Sequence, residues 1–447
     1  KPSAFAGRRP AIIFANSWTL NEYEYEAQAR KFAARGYIVL AYSTRGFGGS
    51  DGYVSVGGPN DIRDFSTILD WLEDNTRVDV ANIGMAGISY GAGLALLALT
   101  QDNRIKTVAA LSGWGDLEKS LYRNETVQKT WLEVLIGSGR LTGKLDPDIF
   151  TQLTQMQERS DIAATRAWAA ARSPETFIDI INARKAPIFM ENSYLDALFP
   201  PLQIRSFYER LEGPKRLSMD EGVHASSAIS GIAGLPNAVW DDVHEWMDHW
   251  LVDDSLPVKT GVSFRTRFTT DRYKEFPALS PQKLTMKPLN TLSYDSTGHS
   301  VIQFNGNKDS GATTGIPLLS DTLDALVALP VVKAIAGIDR RYAAVLESQR
   351  IEQSVKVRGA PRLNFTVMPH ATPVTLVGYL YDVNALGVGT LLSFSVMSLQ
   401  DPSATAVDVI FDLNVTAFTL EGGHKLVVAI DTVDSLYTPA TIQPYKV

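Results

Sequence analysis

RVDVANIGMAGISYGAGLALLA, from Arg77 to Ala98, is the stretch whose reading decides the fold. At its centre Gly87-Ile88-Ser89-Tyr90-Gly91 forms a G-x-S-x-G, preceded by the apolar Ile83 and Met85 and followed by the small, leucine-rich run Ala92 to Leu99. The order is strand, tight turn, helix. A serine in such a turn adopts a strained backbone conformation, and glycine is needed on both sides because a side chain would collide with the strand or helix passing it. The hydroxyl is then held clear of the sheet, at the positive end of a helix. Five residues alone can match by chance in a chain of 447; the flanks make Ser89 a candidate nucleophile.

Composition narrows the class. With 45% hydrophobic and 20% charged residues the chain can bury a sizeable core and has length for two or three domains. A net charge of −7, a pI near 5.5 and no Lys/Arg cluster argue against nucleic acid as a partner. The absence of cysteine excludes a disulfide framework, a thiolate zinc site and thiol catalysis, and leaves the compartment open. The longest greasy segment, Ala325 to Ile338, contains Pro330 and Lys333 and is too short to span a bilayer. Lys1-Pro2-Ser3 leads through a short polar stretch into the apolar Ala11 to Ala15, with no signal peptide. A chain opening on an internal strand is expected to be a trimmed form, which tilts the expected location towards secreted or periplasmic. Neither a metal nor a cofactor is expected: the glycine-rich Gly46 to Gly58 lacks the strand-then-helix fingerprint of a nucleotide site. The oligomeric state is left open.

Residues 10 to 113 alternate strand and helix. Ala11 to Ala15 and Tyr37 to Tyr42 read as strands, and Glu22 to Ala34 as a helix closed by Gly36. Ile62, Phe65, Ile68, Leu69 and Leu72 recur at helical spacing, and Thr107 to Leu111 follows the Ser89 unit as another strand. Such alternation implies a parallel sheet covered on both faces, with ligands at the carboxyl ends of the strands. From Trp114 to Arg184 the pattern is helical, with Asp146-Pro147 and Ser173-Pro174 as N-caps followed by proline; this insertion reads as a cap over the site, about 114–184. Pro187 to Asn192 and Arg216 to Met219 resume the sheet, and a helix from Asn237 to Leu251 closes a catalytic domain over 1–255. Beyond it, 256–447, period-2 segments (Val262 to Phe268, Leu363 to Val367, Val374 to Tyr381, Leu391 to Val396, Lys425 to Ile430) predict a β-sandwich, interrupted by a helical insertion at about 320–347.

A serine hydroxyl needs a base, and the base needs an acid to fix its tautomer. In α/β-hydrolase sheets the chain order is serine, acid, histidine. Of His224, His244, His249, His299, His370 and His424, His224 alone lies in a loop just after a sheet-type strand. His244 and His249 sit on the closing helix, where packing is the plainer reading, and the last three belong to the sandwich. Asp196, in the loop SYLDALFPP, is the expected acid; Asp220 and Glu221 are rivals nearly adjacent to the histidine. The oxyanion needs donors: the Tyr90 N–H is one, and the other is expected from Asn16-Ser17-Trp18-Thr19. Trp114 and Ser17 are expected at the substrate pocket, Trp114 as an apolar wall.

These residues resemble the X-Pro dipeptidyl-peptidase-like serine hydrolases, which include cocaine-esterase-type acyl esterases and α-amino-acid ester hydrolases. The resemblance spans nearly the whole chain: TRGFGGSDG (Thr44 to Gly52), NDIRDFSTILDWL, the elbow GISYGAG, SYLDALF around Asp196, and His224, then GYLYDVNALG (Gly378 to Gly387) and GGHKLVVAI (Gly422 to Ile430). It implies an α/β-hydrolase fold with a helical cap and a jelly-roll β-sandwich, and the roles of nucleophile for Ser89, acid for Asp196 and base for His224. Three departures stand out. The family's N/T-P-Y, whose tyrosine hydroxyl completes the oxyanion hole, is here Asn16-Ser17-Trp18, so the indole N–H or the backbone alone must donate. The histidine follows Asp220-Glu221-Gly222-Val223 instead of G-P-W. The family's leading antiparallel strands have no residues ahead of Ala11, which fits trimming or a lost sheet edge.

The expected activity is hydrolysis of acyl esters, small or polymeric, through an acyl-enzyme. The alternative enzyme is an X-Pro dipeptidyl aminopeptidase, which needs an anion for the substrate's α-amino group; Asp116, Glu118 and Glu125 are the candidates. A third reading, from another class, is an inert hydrolase domain carried by a glycan- or partner-binding sandwich.

Overall fold

The computed structural model describes residues 7–280, 286–288, 293–294, 300–315, 330–369, 373–400 and 406–440. They divide into two compact units: Lys1–Ser120, Glu133–Arg265 and Thr269–Phe276 form the first, and Leu121–Leu132, Thr266–Phe268 and Pro277–Val447 the second.

The first unit is built on an eight-stranded sheet. Its strands are β1 (Arg9–Ala15), β2 (Ile38–Tyr42), β3 (Val78–Ile88), β4 (Ile105–Leu111), β5 (Ile188–Ser193), β6 (Lys215–Asp220), β7 (Gly261–Arg265) and β8 (Thr270–Tyr273), in the spatial order β8-β7-β6-β5-β4-β3-β1-β2. All neighbours run parallel except β7 and β8. The central strands are apolar on both faces, as a parallel sheet covered by helices requires; residues 11–15 of β1 are all buried. Eleven helices are described: α1 (Glu26–Ala34), α2 (Pro59–Asn75), α3 (Tyr90–Gln101), α4 (Leu117–Leu121), α5 (Lys129–Thr142), α6 (Pro147–Glu158), α7 (Ile162–Ala170), α8 (Ile178–Arg184), α9 (Pro201–Arg210), α10 (Ser226–Ile232) and α11 (Ala238–Leu251). Helix α3 is buried from Tyr90 to Thr100, which is why its sequence is apolar all round instead of striped. By contrast α11 turns Val239, Trp240, Val243, Trp246, Met247 and Leu251 onto a core shared with Ile12, Phe14 and Phe189. Its start is set by Asn237, whose Oδ1 accepts the N–H groups of Val239 and Trp240, both at 3.0 Å. This is the α/β-hydrolase architecture, followed by an all-β unit.

That second unit holds a six-stranded antiparallel sheet in the order Lys287–Pro288, Ala344–Glu347, Lys425–Asp431, Val374–Val383, Val388–Leu399, Val332–Ala334. Paired ribbons Val355–Gly359 with Thr416–Leu420, and Arg362–Val367 with Val407–Asp412, contribute to its core beside Leu376, Leu380 and Leu413.

Four expectations change. The segment Val262 to Phe268 does not open the sandwich: β7 lies parallel to β6 in the catalytic sheet, with Val262 and Phe264 buried. Its period-2 pattern fits either sheet, and only strand pairing distinguishes them. Within the expected cap, Leu121–Leu132 belongs to the second unit, where the Thr126 hydroxyl meets that of Ser398 at 2.8 Å. Ser173 does not cap an α-helix; Pro174–Phe177 is a 3-10 turn, and the serine hydroxyl donates to Ala169 while accepting the Leu117 N–H. Of the helical insertion at 320–347, residues 320–329 lie outside the described residues. The remainder has strands Val332–Ala334 and Ala344–Glu347, because pairing with Val388–Thr390 and Val427–Ile430 overrides the apolar spacing.

Gly91 tests this packing: a Cβ there would stand 2.3 Å from the Ala15 carbonyl oxygen, a backbone atom held in the sheet. Gly91→Ala should therefore lower the unfolding free energy by about 3 kcal/mol, the upper end for overpacking. Urea unfolding monitored by tryptophan fluorescence measures this, and a loss below about 1 kcal/mol would mean that the turn relaxes freely.

Candidate active site

Ser89 occupies the turn between β3 and α3 with φ 55° and ψ −116°. The conformation is held from both sides. The Ser89 N–H donates to the Leu111 carbonyl at 2.8 Å, and a Cβ on Gly87 would lie 2.5 Å from the Gly91 carbonyl carbon. The hydroxyl is thereby presented at the carboxyl edge of the sheet.

The loop after β5 brings Asp196 to the same edge. Its carboxylate is wholly buried, and Oδ1 accepts the N–H groups of Leu198 at 2.9 Å and Phe199 at 2.8 Å. Oδ2 lies 2.9 Å from His224 Nδ1, and His224 Nε2 lies 2.8 Å from Ser89 Oγ. The serine and the aspartate thus stand on opposite sides of one imidazole. Carboxylate at Nδ1 keeps the proton there, so that Nε2 is free to accept the serine proton. Phe199 packs edge-on against the ring at 5.3 Å.

The rivals are engaged elsewhere. Asp220 accepts from the Ser218 hydroxyl at 2.7 Å and pairs with Arg265 at 2.8 Å. Burial raises its carboxyl above the usual range, against the pull of Arg265. Glu221 is exposed. His244 is buried against Phe32 at 4.2 Å and bonded to Gln28, with burial pushing it down to about 3; His249 meets the Leu256 carbonyl, and His424 pairs with Asp382 in the second unit. His299 and His370 lie outside the described residues.

Three pocket expectations are corrected. The Trp18 indole N–H is engaged by the Leu135 carbonyl of α5 at 2.9 Å, so it does not serve the oxyanion. The ring fits there because Gly139 has no side chain: a Cβ would fall 2.9 Å from Trp18. Ser17 turns both its hydroxyl and its N–H to Glu24, each at 2.6 Å, and not to a substrate. Trp114 is only 1% exposed; its indole donates to the Arg172 carbonyl, and the ring lies against Gly93 between Tyr90 and Phe199. It buttresses the site and does not wall it.

Two glutamates escaped the sequence reading. Glu24 is one of three in NEYEYE, and nothing in their spacing separates it from Glu22, bonded to Ser43, or Glu26, paired with exposed Arg30. Glu191 carried a signal, since an acid inside the apolar strand PIFMEN needs a reason to be there. It is wholly buried, accepts the Ser227 hydroxyl at 2.6 Å, and lies 3.3 Å from the Ser112 hydroxyl. Ser112 Oγ accepts the Ala225 N–H at 3.2 Å, so this cluster braces the backbone on the far side of His224.

Comparison with known proteins gives the family and the fold. The fold with a serine at its elbow is that of an α/β-hydrolase enzyme. The family model for X-Pro dipeptidyl-peptidase (S15 family) matches residues 1–226, just over half of the chain, and the chain belongs to that family. A putative Xaa-Pro dipeptidyl-peptidase from Bacillus cereus is 21% identical over 448 residues, covering 91% of this chain and 73% of the relative. Among solved structures, an α-amino acid ester hydrolase superposes with a TM-score of 0.69 at 17% identity, covering 99% of this chain and 88% of its own. A CocE/NonD family hydrolase from Staphylococcus aureus superposes at 0.66 with 12% identity, covering 98% and 83%. The fold is shared with both solved structures, and the family is one of hydrolases.

Burial, followed by the charge of Asp220, pushes Glu191 up to about 8 from 4.5. Because its folded value is raised, its contribution to stability is whole below about 4.5 and is lost as pH rises through about 8. Glu191→Gln, neutral throughout, should lack this loss. Its stability relative to the wild type should rise between pH 5 and pH 9 in chemical denaturation; a constant difference would mean that Glu191 is already ionised in the folded state.

Proposed function

We propose that this chain is a serine hydrolase that cleaves acyl esters, with Ser89 as nucleophile, His224 as general base and Asp196 as the acid that orients it. The observation that carries the reading is the His224 ring held between Ser89 Oγ and the buried Asp196 carboxylate. In acylation Ser89 Oγ attacks the ester carbonyl carbon while its proton passes to His224 Nε2. The tetrahedral oxyanion collapses, the C–O bond to the alcohol breaks, and the imidazolium returns the proton to the leaving oxygen. Water then repeats the sequence on the acyl-enzyme and releases the acid. Asp196 is held in place by the Leu198 and Phe199 N–H groups, which its Oδ1 accepts.

Ester substrates are favoured over X-Pro peptides by the condition of the expected anchors. Asp116 pairs with Lys119 at 2.8 Å and Glu118 with Arg166 at 2.8 Å, so neither is an unpaired anion waiting for an ammonium group. Glu125 lies in the second unit, where it receives the Tyr122 hydroxyl. The Xaa-Pro dipeptidyl-peptidase name of the Bacillus relative supports the aminopeptidase as the second reading. An inert binding protein has no use for a buried carboxylate aligned through histidine to a strained serine.

A fluorophosphonate probe should label the wild type and not Ser89→Ala, and equal labelling of the two removes the proposed nucleophile. Asp196→Asn should lower kcat by about 10⁴-fold through the wrong tautomer. Short p-nitrophenyl esters should exceed Ala-Pro and Gly-Pro anilides in kcat/KM; the reverse order establishes the aminopeptidase.

A further inference from the structure

The hydrogen bonds around Glu24 bear on the oxyanion, whose second donor is left unassigned once the Trp18 indole is engaged. The loop after β1 is held at almost every polar atom. Asn16 Oδ1 accepts the Thr44 N–H at 2.7 Å, and its Nδ2 donates to the carbonyls of Ser17 at 2.8 Å and Leu20 at 3.0 Å. The Ser17 carbonyl also accepts the Leu20 N–H at 3.1 Å. Across the planar trans peptide that joins Ser17 to Trp18, the N–H points opposite to the C=O. Fixing the Ser17 carbonyl from two sides therefore fixes the direction of the Trp18 N–H. Among the described residues that N–H has no protein acceptor, and neither does the Tyr90 N–H at the start of α3.

Glu24 holds the preceding peptide. Oε2 accepts the Ser17 N–H and Oε1 the Ser17 hydroxyl, both at 2.6 Å. The same hydroxyl lies 3.0 Å from the Ile88 carbonyl, and the Ile88 N–H donates to the Tyr25 hydroxyl at 2.8 Å. Ile88 directly precedes Ser89. One bracket thus ties the loop to the residue that carries the nucleophile, using Ser17, Glu24, Tyr25 and Ile88. Burial raises the Glu24 carboxyl to about 7, and the hydrogen bonds from Ser17 act against that rise by favouring the carboxylate.

We propose that Glu24 is a positioning residue of the oxyanion site: it takes up both donors of Ser17 and so holds the next peptide with the Trp18 N–H beside the Tyr90 N–H as the donor pair. The proposal rests on the reading of Ser89 as nucleophile. Without Glu24 the Ser17 N–H becomes a free donor and the loop can rotate about the Asn16–Ser17 bonds. The loss falls on the tetrahedral state, where charge sits on the oxygen, and not on the bound ester.

The test uses the full chain with p-nitrophenyl butyrate as substrate and phenylboronic acid, which forms a tetrahedral adduct on an active serine, as the transition-state probe. Glu24→Ala should lower kcat by about 10- to 100-fold with KM within about threefold, and weaken phenylboronic acid in the same proportion. Glu24→Gln, which keeps one acceptor and is nearly isosteric, should fall between Glu24→Ala and the wild type, and guards against a variant that fails to fold. Ser17→Ala, which retains the N–H bond to Glu24, should lose less than Glu24→Ala. If Glu24→Gln and Glu24→Ala are folded by circular dichroism and keep kcat and boronate affinity within twofold, Glu24 is a structural strut and the proposal fails while the Ser89 reading stands. If the wild type itself does not label with fluorophosphonate, both fail together.

Discussion

A single backbone conformation organises the catalytic unit. Ser89 sits at φ 55°, a region that costs an L-residue about 1–3 kcal/mol and persists only where the surroundings over-determine it. Those surroundings are the ends of three adjacent strands. β4 supplies the Leu111 carbonyl to the Ser89 N–H, β1 lays its Ala15 carbonyl against Gly91, and β3 ends on Ile88, held by the Tyr25 hydroxyl. The sheet order β4-β3-β1 is what brings these three groups together, so the strain at the serine and the topology of the sheet are one fact.

Around that turn several buried polar groups are placed in pairs and triplets. Asp196 shares its two oxygens between two peptide N–H groups and His224; Glu191 shares its own between Ser227 and Ser112; Asn16 bonds Ser17 and Leu20 of its own loop and Thr44 just after β2. A buried polar group without a partner costs about 1–3 kcal/mol, so each set is held by the penalty for breaking it more than by the strength of any one bond. Position is thereby conveyed from the sheet to the two loops that carry acid and base.

The aromatic side chains continue the same theme. Phe47, Trp18, Tyr90, Trp114 and Phe199 touch in series and end on the His224 ring, with centroids 5.1 to 6.2 Å apart. Glycines make the series possible: Gly93 admits Trp114 and Gly139 admits Trp18. Trp18 fills space in this series and gives its indole N–H to the Leu135 carbonyl of α5.

How much of this was legible beforehand follows from the range of each signal. The elbow and the alternation of strand and helix are local patterns, written by backbone sterics and by the periodicity of burial. They survive translation into three dimensions because each depends on neighbours in the chain. The parallel placement of Gly261–Arg265, the strands at Val332–Ala334 and Ala344–Glu347, and the membership of Leu121–Leu132 in the second unit depend on partners tens to hundreds of residues away, and period-2 or helical spacing alone does not name a partner. The same holds at the site. Trp18, Ser17 and Trp114 were recognisable as residues of the right loops, but whether an indole or a hydroxyl faces the substrate depends on what else competes for it. Leu135, Glu24 and Arg172 win that competition. From its sequence alone the chain determined the strained turn at Ser89 and the strand and helix that flank it, because these are local matters. Which polar partner each side chain around it takes was decided by the tertiary structure, because a hydrogen bond belongs to whichever partner the fold brings within about 3 Å.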